Sequence, residues 1–289
     1  DRTNYDYFGT AVSISGNDAI VGAWADDDLG SDSGSAYIFV KAGDTWTQQA
    51  KLTASDGASN DYFGSAVSIS GDYAIVGAKY HDDPSIESGA AYIFKRDGTT
   101  WSEVAKLTQT DGVSEDYFGY KVSISGDYAI VGVYNDDDKG SSSGSVYIYK
   151  RNGSEWPLLV KLTGSDSWPA DQFGCAVALS DNHAIVGAFL DDDTGSNSGS
   201  AYIYELNTRP TLVEMDNTRF TNTTSSQSIN ITIVDCDGSN ITITAMSSNP
   251  SIVSDNDINI AGFGSNTMVS GTTAGASTYL SLTITPAQI

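Results

Sequence analysis

DYFGSAVSISGDYAIVGA, running from Asp61 to Ala78, decides the fold because the chain contains it four times. The other copies begin at Asp6, Asp116 and Asp171, and their phenylalanines, Phe8, Phe63, Phe118 and Phe173, stand 55 residues apart without slippage. The surroundings recur in register: an aspartate-rich loop and a tyrosine-rich run in every copy, then a tryptophan and Lys-Leu-Thr in the first three. A period of this length marks a repeat architecture, in which each unit buries its apolar surface against its neighbours. Features that recur in every copy belong first to the scaffold. Features private to one copy are the better candidates for a private function.

Each repeat resolves into four strand-like runs. In the first copy these are AVSIS (11–15), AIVGA (19–23), SAYIFV (35–40) and a run from Trp46 to Thr53. Gly16-Asn17, and later Gly71-Asp72 and Gly126-Asp127, supply the positive φ of a tight hairpin turn between the first two runs. The runs are apolar on both faces near their centres, which predicts sheets covered on both sides. Gly22, Ala23, Gly77 and Ala78 suit close approach of two backbones. Four strands per repeat predict the blades of an all-β propeller. A β-solenoid fits less well, because its coils are shorter and lack a hairpin in every repeat.

Phe-Gly, then Val-Gly-Ala about 13 residues on, then Gly-Ser-Ala-Tyr-Ile-Phe, resembles the FG-GAP repeat of integrin α-subunit propellers, and most of all the bacterial surface-protein variety. The resemblance covers 1–207, with repeats starting near 6, 61, 116 and 171. The proline of the family motif is missing: Trp24, Lys79, Tyr134 and Phe189 stand in its place. The resemblance implies a ring of seven blades, whereas this chain holds four sets of strands one to three and three fourth strands. It is therefore expected to lack an N-terminal part of the ring. The family's cation sites occupy the hairpin between strands one and two, which here is a two-residue turn too short to chelate, so they do not carry over.

Up-and-down connectivity puts the loop between strands two and three at the same end of a blade as the loop leading into the next repeat. One face thus gathers Asp26, Asp27, Asp28, Asp82, Asp83, Asp136, Asp137, Asp138, Asp191, Asp192 and Asp193. Asp56, Asp61, Asp111, Asp116, Asp166 and Asp171 come from the second loop. Carboxylates so gathered repel one another unless cations or solvent intervene. Two readings stand: a Ca²⁺ site, since Ca²⁺ takes six to eight oxygens, or loops held by Asx turns. His81 replaces the first aspartate of the triplet in one copy, and a lone loop histidine reads as a solvated side chain.

Composition shifts at Asn207-Thr208-Arg209-Pro210, where the repeats stop. In 208–289, SINITIVDCDGSNITITAMSSNPSIV (228–253) and LSLTITPA (280–287) read as alternating strands. They resemble the Ig-like or cadherin-like β-sandwich domains of bacterial adhesins, here expected to be incomplete. Cys175 and Cys236 are the two cysteines, outside any metal-binding spacing, and form a candidate disulfide. Asn152, Asn222, Asn230 and Asn240 carry the N-glycosylation acceptor pattern.

A net charge of −23, from 37 acidic and 14 basic residues, argues against nucleic acid and against an anionic membrane surface. No run is long and apolar enough to insert into a membrane. The chain shows no GxSxG elbow, no phosphate-binding glycine loop and no HExxH, and its aspartates recur in every blade whereas an active site is normally unique. The expectation is a non-enzymatic extracellular or cell-surface module that binds a protein or glycan through an acidic face. The alternative is a structural subunit that self-associates into an extracellular filament or sheath. A polysaccharide-active enzyme comes third.

Overall fold

The computed structural model describes residues 4–192 and 195–206, and beyond them the backbone of strands lying between 211 and 286. Strands β1 (Val12–Ser15), β2 (Asp18–Ala23), β3 (Ser35–Ala42) and β4 (Thr45–Leu52) form one antiparallel sheet in sequence order. The second copy repeats it with β5 (Phe63–Ser70), β6 (Tyr73–Ala78), β7 (Ala90–Asp97) and β8 (Thr100–Leu107). The third does so with β9 (Lys121–Ser125), β10 (Tyr128–Val133), β11 (Ser145–Lys150) and β12 (Leu158–Leu162). The fourth sheet has three strands, β13 (Phe173–Ser180), β14 (His183–Ala188) and β15 (Ser200–Glu205), in keeping with the loss of the Trp…Lys-Leu-Thr run. These four blades lie in one compact unit, Asp1–Glu205.

The second unit, Leu206–Ile289, holds two antiparallel sheets. One orders β16 (Thr211–Met215), β17 (Gln227–Val234), β20 (Thr267–Gly271) and β19 (Asn259–Ala261); the other pairs β18 (Ile241–Ser247) with β21 (Leu280–Pro286). The two strands that flank Asp-Cys-Asp-Gly thus belong to different sheets rather than to one hairpin.

The core of the repeat unit lies between blades. Ile20, Ala36 and Ile38 of the first blade pack on Val67, Ile69, Ala74, Val76 and Tyr92 of the second. Ile75, Ala91 and Ile93 of the second pack on Phe118, Val122, Ile124, Val131 and Tyr147 of the third. Each of the valine, isoleucine and phenylalanine side chains taken from water stabilises by about 1.5–3 kcal/mol. Phe63, Phe118 and Phe173 are fully buried and meet Tyr92, Tyr147 and Tyr202 edge-on, at centroid distances of 5.5, 5.4 and 5.2 Å.

The two glycines of the motif have one shared cause. A Cβ on Gly22 would stand 1.9 Å from the carbonyl oxygen of Gly64, and one on Gly77 would stand 2.1 Å from that of Gly119. The Val-Gly of each blade therefore touches the Phe-Gly of the next, backbone to backbone. The serines of the inner strand join neighbours laterally. Ser13 Oγ accepts the Ile69 N–H at 3.2 Å, Ser68 Oγ that of Ile124 at 3.1 Å, and Ser123 Oγ that of Leu179 at 3.0 Å.

At the acidic end, the loop after strand two zips onto the entry of the next blade. The N–H groups of Asn60, Tyr62 and Phe63 donate to the carbonyls of Ser31, Asp32 and Ser33, and the pattern recurs between the second and third blades and between the third and fourth. Gly34, Gly89 and Gly144 lie so close to the next phenylalanine backbone, at positive φ, that no side chain fits.

Candidate functional site

The aspartate triplet divides into three roles. The first member is buried: Asp26, Asp136 and Asp191. Asp26 Oδ1 accepts the Asp28 N–H at 3.3 Å and Asp136 Oδ1 accepts the Asp138 N–H at 3.0 Å, which is Asx-turn geometry. The second member closes the loop: Asp27, Asp82, Asp137 and Asp192 accept the N–H of Asp32, Glu87, Ser142 and Asn197 at 2.8, 2.7, 2.7 and 2.5 Å. Those four donors all sit at positive φ, between 52° and 54°. The third member, Asp28, Asp83 or Asp138, reaches a lysine. Asp193, the last third member, lies outside the described residues.

That lysine is the one in Lys-Leu-Thr. Lys161 Nζ lies 2.9 Å from Asp111 Oδ2, 2.9 Å from Asp136 Oδ2 and 2.7 Å from Asp138 Oδ2. Lys106 Nζ lies 2.7 Å from Asp56 Oδ2 and 2.6 Å from Asp83 Oδ2. Lys51 pairs with Asp26 at 3.1 Å and with Asp28. The three ammonium groups also sit over the rings of Tyr37, Tyr92 and Tyr147, at 5.3, 6.0 and 5.1 Å. Burial disfavours the charge on Lys161, but hydrogen bonds with Asp138, Tyr147, Asp136 and Asp111 outweigh it and hold the group above the ordinary lysine range. On Asp26, burial raises the pKa, but hydrogen bonds from Tyr37 and Lys51 carry it below the ordinary carboxylate value.

Each buried tyrosine hydroxyl completes a cluster. Tyr37 donates to Asp26 at 2.7 Å, Tyr92 to Asp56 at 2.8 Å and Tyr147 to Asp111 at 2.6 Å. Tyr202 reaches Asp166 at 2.6 Å and Asp191 at 2.9 Å. His81 is buried rather than solvated. Its Nδ1 lies 2.9 Å from Asp61 Oδ2 and its Nε2 2.9 Å from Lys106 Nζ. An ammonium only donates, so Nε2 is the acceptor and Nδ1 carries the proton. The donor sets of the first three blades do not fit a divalent ion, because an ammonium already stands at the point where their oxygens converge. Among the described residues no group of three or more His, Cys, Asp or Glu side chains is arranged to hold one.

Asp61, Asp116 and Asp171 cap their own loops, accepting the N–H of Ala58, Val113 and Trp168 at 2.7, 2.8 and 2.6 Å. Burial, with the Asp136 and Asp137 charges nearby, pushes the Asp116 carboxyl up to about 6, against the Val113 N–H that favours its ionised form. Cys175 is a free thiol whose Sγ donates to Gly187 O at 3.3 Å; Cys236 lies outside the described residues. Asn152 is exposed, and its N–H exchanges backbone hydrogen bonds with Glu155. Asn230 lies on β17, and Asn222 and Asn240 fall outside the described residues.

The same face carries a feature that the motif reading passed over. Tyr7 stacks on Trp24 at 4.8 Å, Trp24 meets Tyr62 at 4.2 Å, Tyr62 meets Tyr80 at 4.8 Å, and Tyr80 meets Tyr117 at 5.3 Å. Tyr117 then stacks on Tyr134 at 5.7 Å, which meets Tyr120 at 4.3 Å. These rings form a continuous aromatic track across three blades, half-buried along its length and exposed at Tyr7. Tyr7, Tyr62 and Tyr117 hold positive φ, an uncommon conformation for a bulky residue, which the inter-blade zipper fixes at Tyr62 and Tyr117. Lys79 lies over Tyr80 at 4.7 Å and over Tyr120 at 5.6 Å. Burial, then the charges of Glu87 and Glu115, pushes the Tyr117 hydroxyl up to about 12. In the fourth copy, which has Gln172 in place of the tyrosine, Trp168, Pro169, Asp171 and Asp192 line a cavity of about 320 Å³.

The FG-GAP repeat pattern matches this chain at 1–39, 46–94, 101–149 and 156–204, more than half of its length. The chain belongs to the FG-GAP repeat family. Each match joins the motif glycines, the acidic loop and the tyrosine strand into one repeat, and the matched segments span the strands of all four blades. FG-GAP repeats are in general binding modules of extracellular and surface proteins, and typically non-enzymatic. No curated protein matches the chain. The recurring lysine was open to sequence reading: Lys51, Lys106 and Lys161 share the period of the aspartates they meet. So was the tyrosine before the first three Phe-Gly pairs, which reads in the sequence only as part of the strand motif.

Proposed function

We propose that this FG-GAP chain is a non-enzymatic binding or adhesion module of the cell exterior, and that it engages a protein or glycan through its aromatic track. The track carries the reading. Tyrosine and tryptophan give large, rigid, amphipathic contact area at low entropic cost, which is why they dominate binding surfaces. Three of them, Tyr7, Tyr62 and Tyr117, stand on positive-φ backbone, and none of the seven belongs to the inter-blade core. The carboxylates of Asp32, Glu87 and Glu115 lie near them and favour a ligand rich in hydroxyl, amide or cationic donors. The second unit, with its two antiparallel sheets, reads as an Ig-like spacer. The test is an immobilised-glycan and cell-adhesion panel run with the native chain and with Trp24→Ala/Tyr62→Ala. Ligand capture by the native chain alone supports the track as the site; equal capture by both removes it.

A second reading, self-association, has its own observation. At the internal interfaces Val67, Ile69, Val122 and Ile124 meet Ile20, Ile38, Ile75 and Ile93, all at most 8% exposed. Their counterparts at the two ends, Val12 and Ile14 on one side and Ile185 and Ile203 on the other, are 69%, 67%, 43% and 74% exposed. These end faces match the internal interfaces in kind, so either a further blade of the same chain or a second copy stacked head to tail would cover them. Light scattering over a wide concentration range tests this: a native chain that stays monomeric throughout, like Ile203→Asp, sinks the assembly reading.

A further inference from the structure

We propose that the strand-four lysines, Lys51, Lys106 and Lys161, are built-in counterions that stand where a divalent cation would otherwise bind, so that the acidic face of the first three blades folds without metal. Three oxygens from two loops converge on Lys161 Nζ within 2.9 Å, and two oxygens and a nitrogen converge on Lys106 Nζ within the same distance. The side chains of Lys51, Lys106 and Lys161 are only 17%, 22% and 19% exposed. Each ammonium is delivered by the outer strand of its own blade to a carboxylate cluster drawn from the loops beside it. In the third blade it ties the loop entering the blade, through Asp111, to the loop after strand two, through Asp136 and Asp138. That is the loop-bridging task a cation would perform.

The second blade separates the two chemistries. There the first aspartate of the triplet is His81, whose Nε2 accepts from Lys106. Ca²⁺ is a hard cation that takes oxygen ligands. An ammonium needs only an acceptor, and a neutral imidazole nitrogen serves it as well as a carboxylate oxygen. The Asp-to-His exchange is harmless to a lysine-centred cluster and damaging to a calcium-centred one.

Removing the ammonium should convert the third cluster into a cation site. Lys161→Ala leaves Asp111, Asp136 and Asp138 facing one another without a counter-charge, and truncating one partner of a largely buried pair is strongly destabilising. The melting temperature of the full chain in EDTA is expected to fall by about 6–15 °C. Millimolar Ca²⁺ should restore much of it, and titration calorimetry should count one more bound Ca²⁺ than in the native chain. Lys161→Ala/Asp136→Asn should lose that added site. Lys106→Ala, which keeps His81 in its cluster, should be destabilised without gaining a Ca²⁺ site, and it supplies the reading if Lys161→Ala does not fold. Lys161→Ala unaffected by Ca²⁺, or as stable as the native chain in EDTA, overturns the proposal. So does a Ca²⁺ titration of the native chain that Asp136→Asn diminishes.

Discussion

Gly77→Ala tests whether the two motif glycines are there to let neighbouring blades touch. The added methyl carbon would lie 2.1 Å from Gly119 O and 3.1 Å from its carbonyl carbon, both backbone atoms that no rotamer change can move aside. Relief requires the second and third blades to part by about 1 Å, and a gap of 0.5–1 Å forfeits roughly a quarter to a half of each dispersion contact across it. A buried side chain makes about 40 such contacts at ~0.1 kcal/mol each, so two or three neighbours of Gly77 lose ~3 kcal/mol together. Gly77 has an ordinary φ, so none of this comes from backbone strain. Gly98→Ala is the control: φ is +60° and nothing lies within 4 Å, so its cost is conformational, about 1 kcal/mol. Urea unfolding of the full chain followed by tryptophan fluorescence is the assay. Gly77→Ala should lower the midpoint severalfold more than Gly98→Ala. It should also broaden the transition, because the damaged interface uncouples blades whose stability is a nearest-neighbour sum. Equal and small shifts for the two variants would refute the close-contact account.

Ser68→Ala removes the acceptor that the buried Ile124 N–H uses across the blade interface, and should cost about 1–2 kcal/mol in the same assay. Asp116 supplies a pH signature. Its folded pKa of about 6 lies above the ordinary 3.8. Its contribution is therefore fully present below about pH 4 and lost as pH rises through 6. Asp116→Asn should thus be more stable than the native chain at pH 7.5, by on the order of 1–2 kcal/mol after allowing for solvent screening, and should lose that advantage at pH 4. A difference between the two chains that does not change with pH would contradict the burial of that carboxyl. Asp26, Asp56 and Asp111, whose pKa values are lowered, work in the opposite sense: the stability they lend is lost as pH falls below about 4. Trp24→Ala/Tyr62→Ala should leave the melting temperature within a few degrees of native, because the track is half-buried and outside the inter-blade core.

The period-55 motif made the blades legible, and strand order, hairpin turns and the missing fourth strand of the last blade all follow from where Gly, Ser and Trp recur. What pattern could not carry was direction. Lys51 stands 25 residues from Asp26 in sequence and meets it only because β4 lies beside β3 in the sheet. The aspartate triplet therefore left a Ca²⁺ site and Asx turns both open; the turns are present, and the cation beside them is the lysine of the same repeat. His81 read as solvated for the same reason: its partners, Asp61 and Lys106, come from either side of it in the chain. The aromatic track was hidden differently. Its rings come from several positions of the repeat, before Phe-Gly (Tyr7, Tyr62, Tyr117), after it (Tyr120) and beyond the second strand (Trp24, Tyr80, Tyr134), that meet only after the blades have packed.

The feature private to one copy remains the sharpest probe of recognition. Asn60, Glu115 and Ala170 take φ of 71°, 70° and 74°, and each loop is pinned by an aspartate accepting the N–H three residues back. Ala58 and Ser59, or Val113 and Ser114, become Trp168 and Pro169 on this common frame. The frame neither needs nor buries the indole, which is 72% exposed. A scaffold role predicts that Trp168→Ala costs several kcal/mol, as loss of a core aromatic does. A recognition role predicts a change within about 0.5 kcal/mol, as at an ordinary surface position, together with weaker ligand capture through the cavity Trp168 shares with Asp171 and Asp192. Thermal unfolding and the glycan and adhesion panel, run on the same preparation, separate the two. A variant that melts with the native chain and captures ligand equally well would remove the fourth blade from the binding surface and leave the aromatic track of the first three as its whole extent.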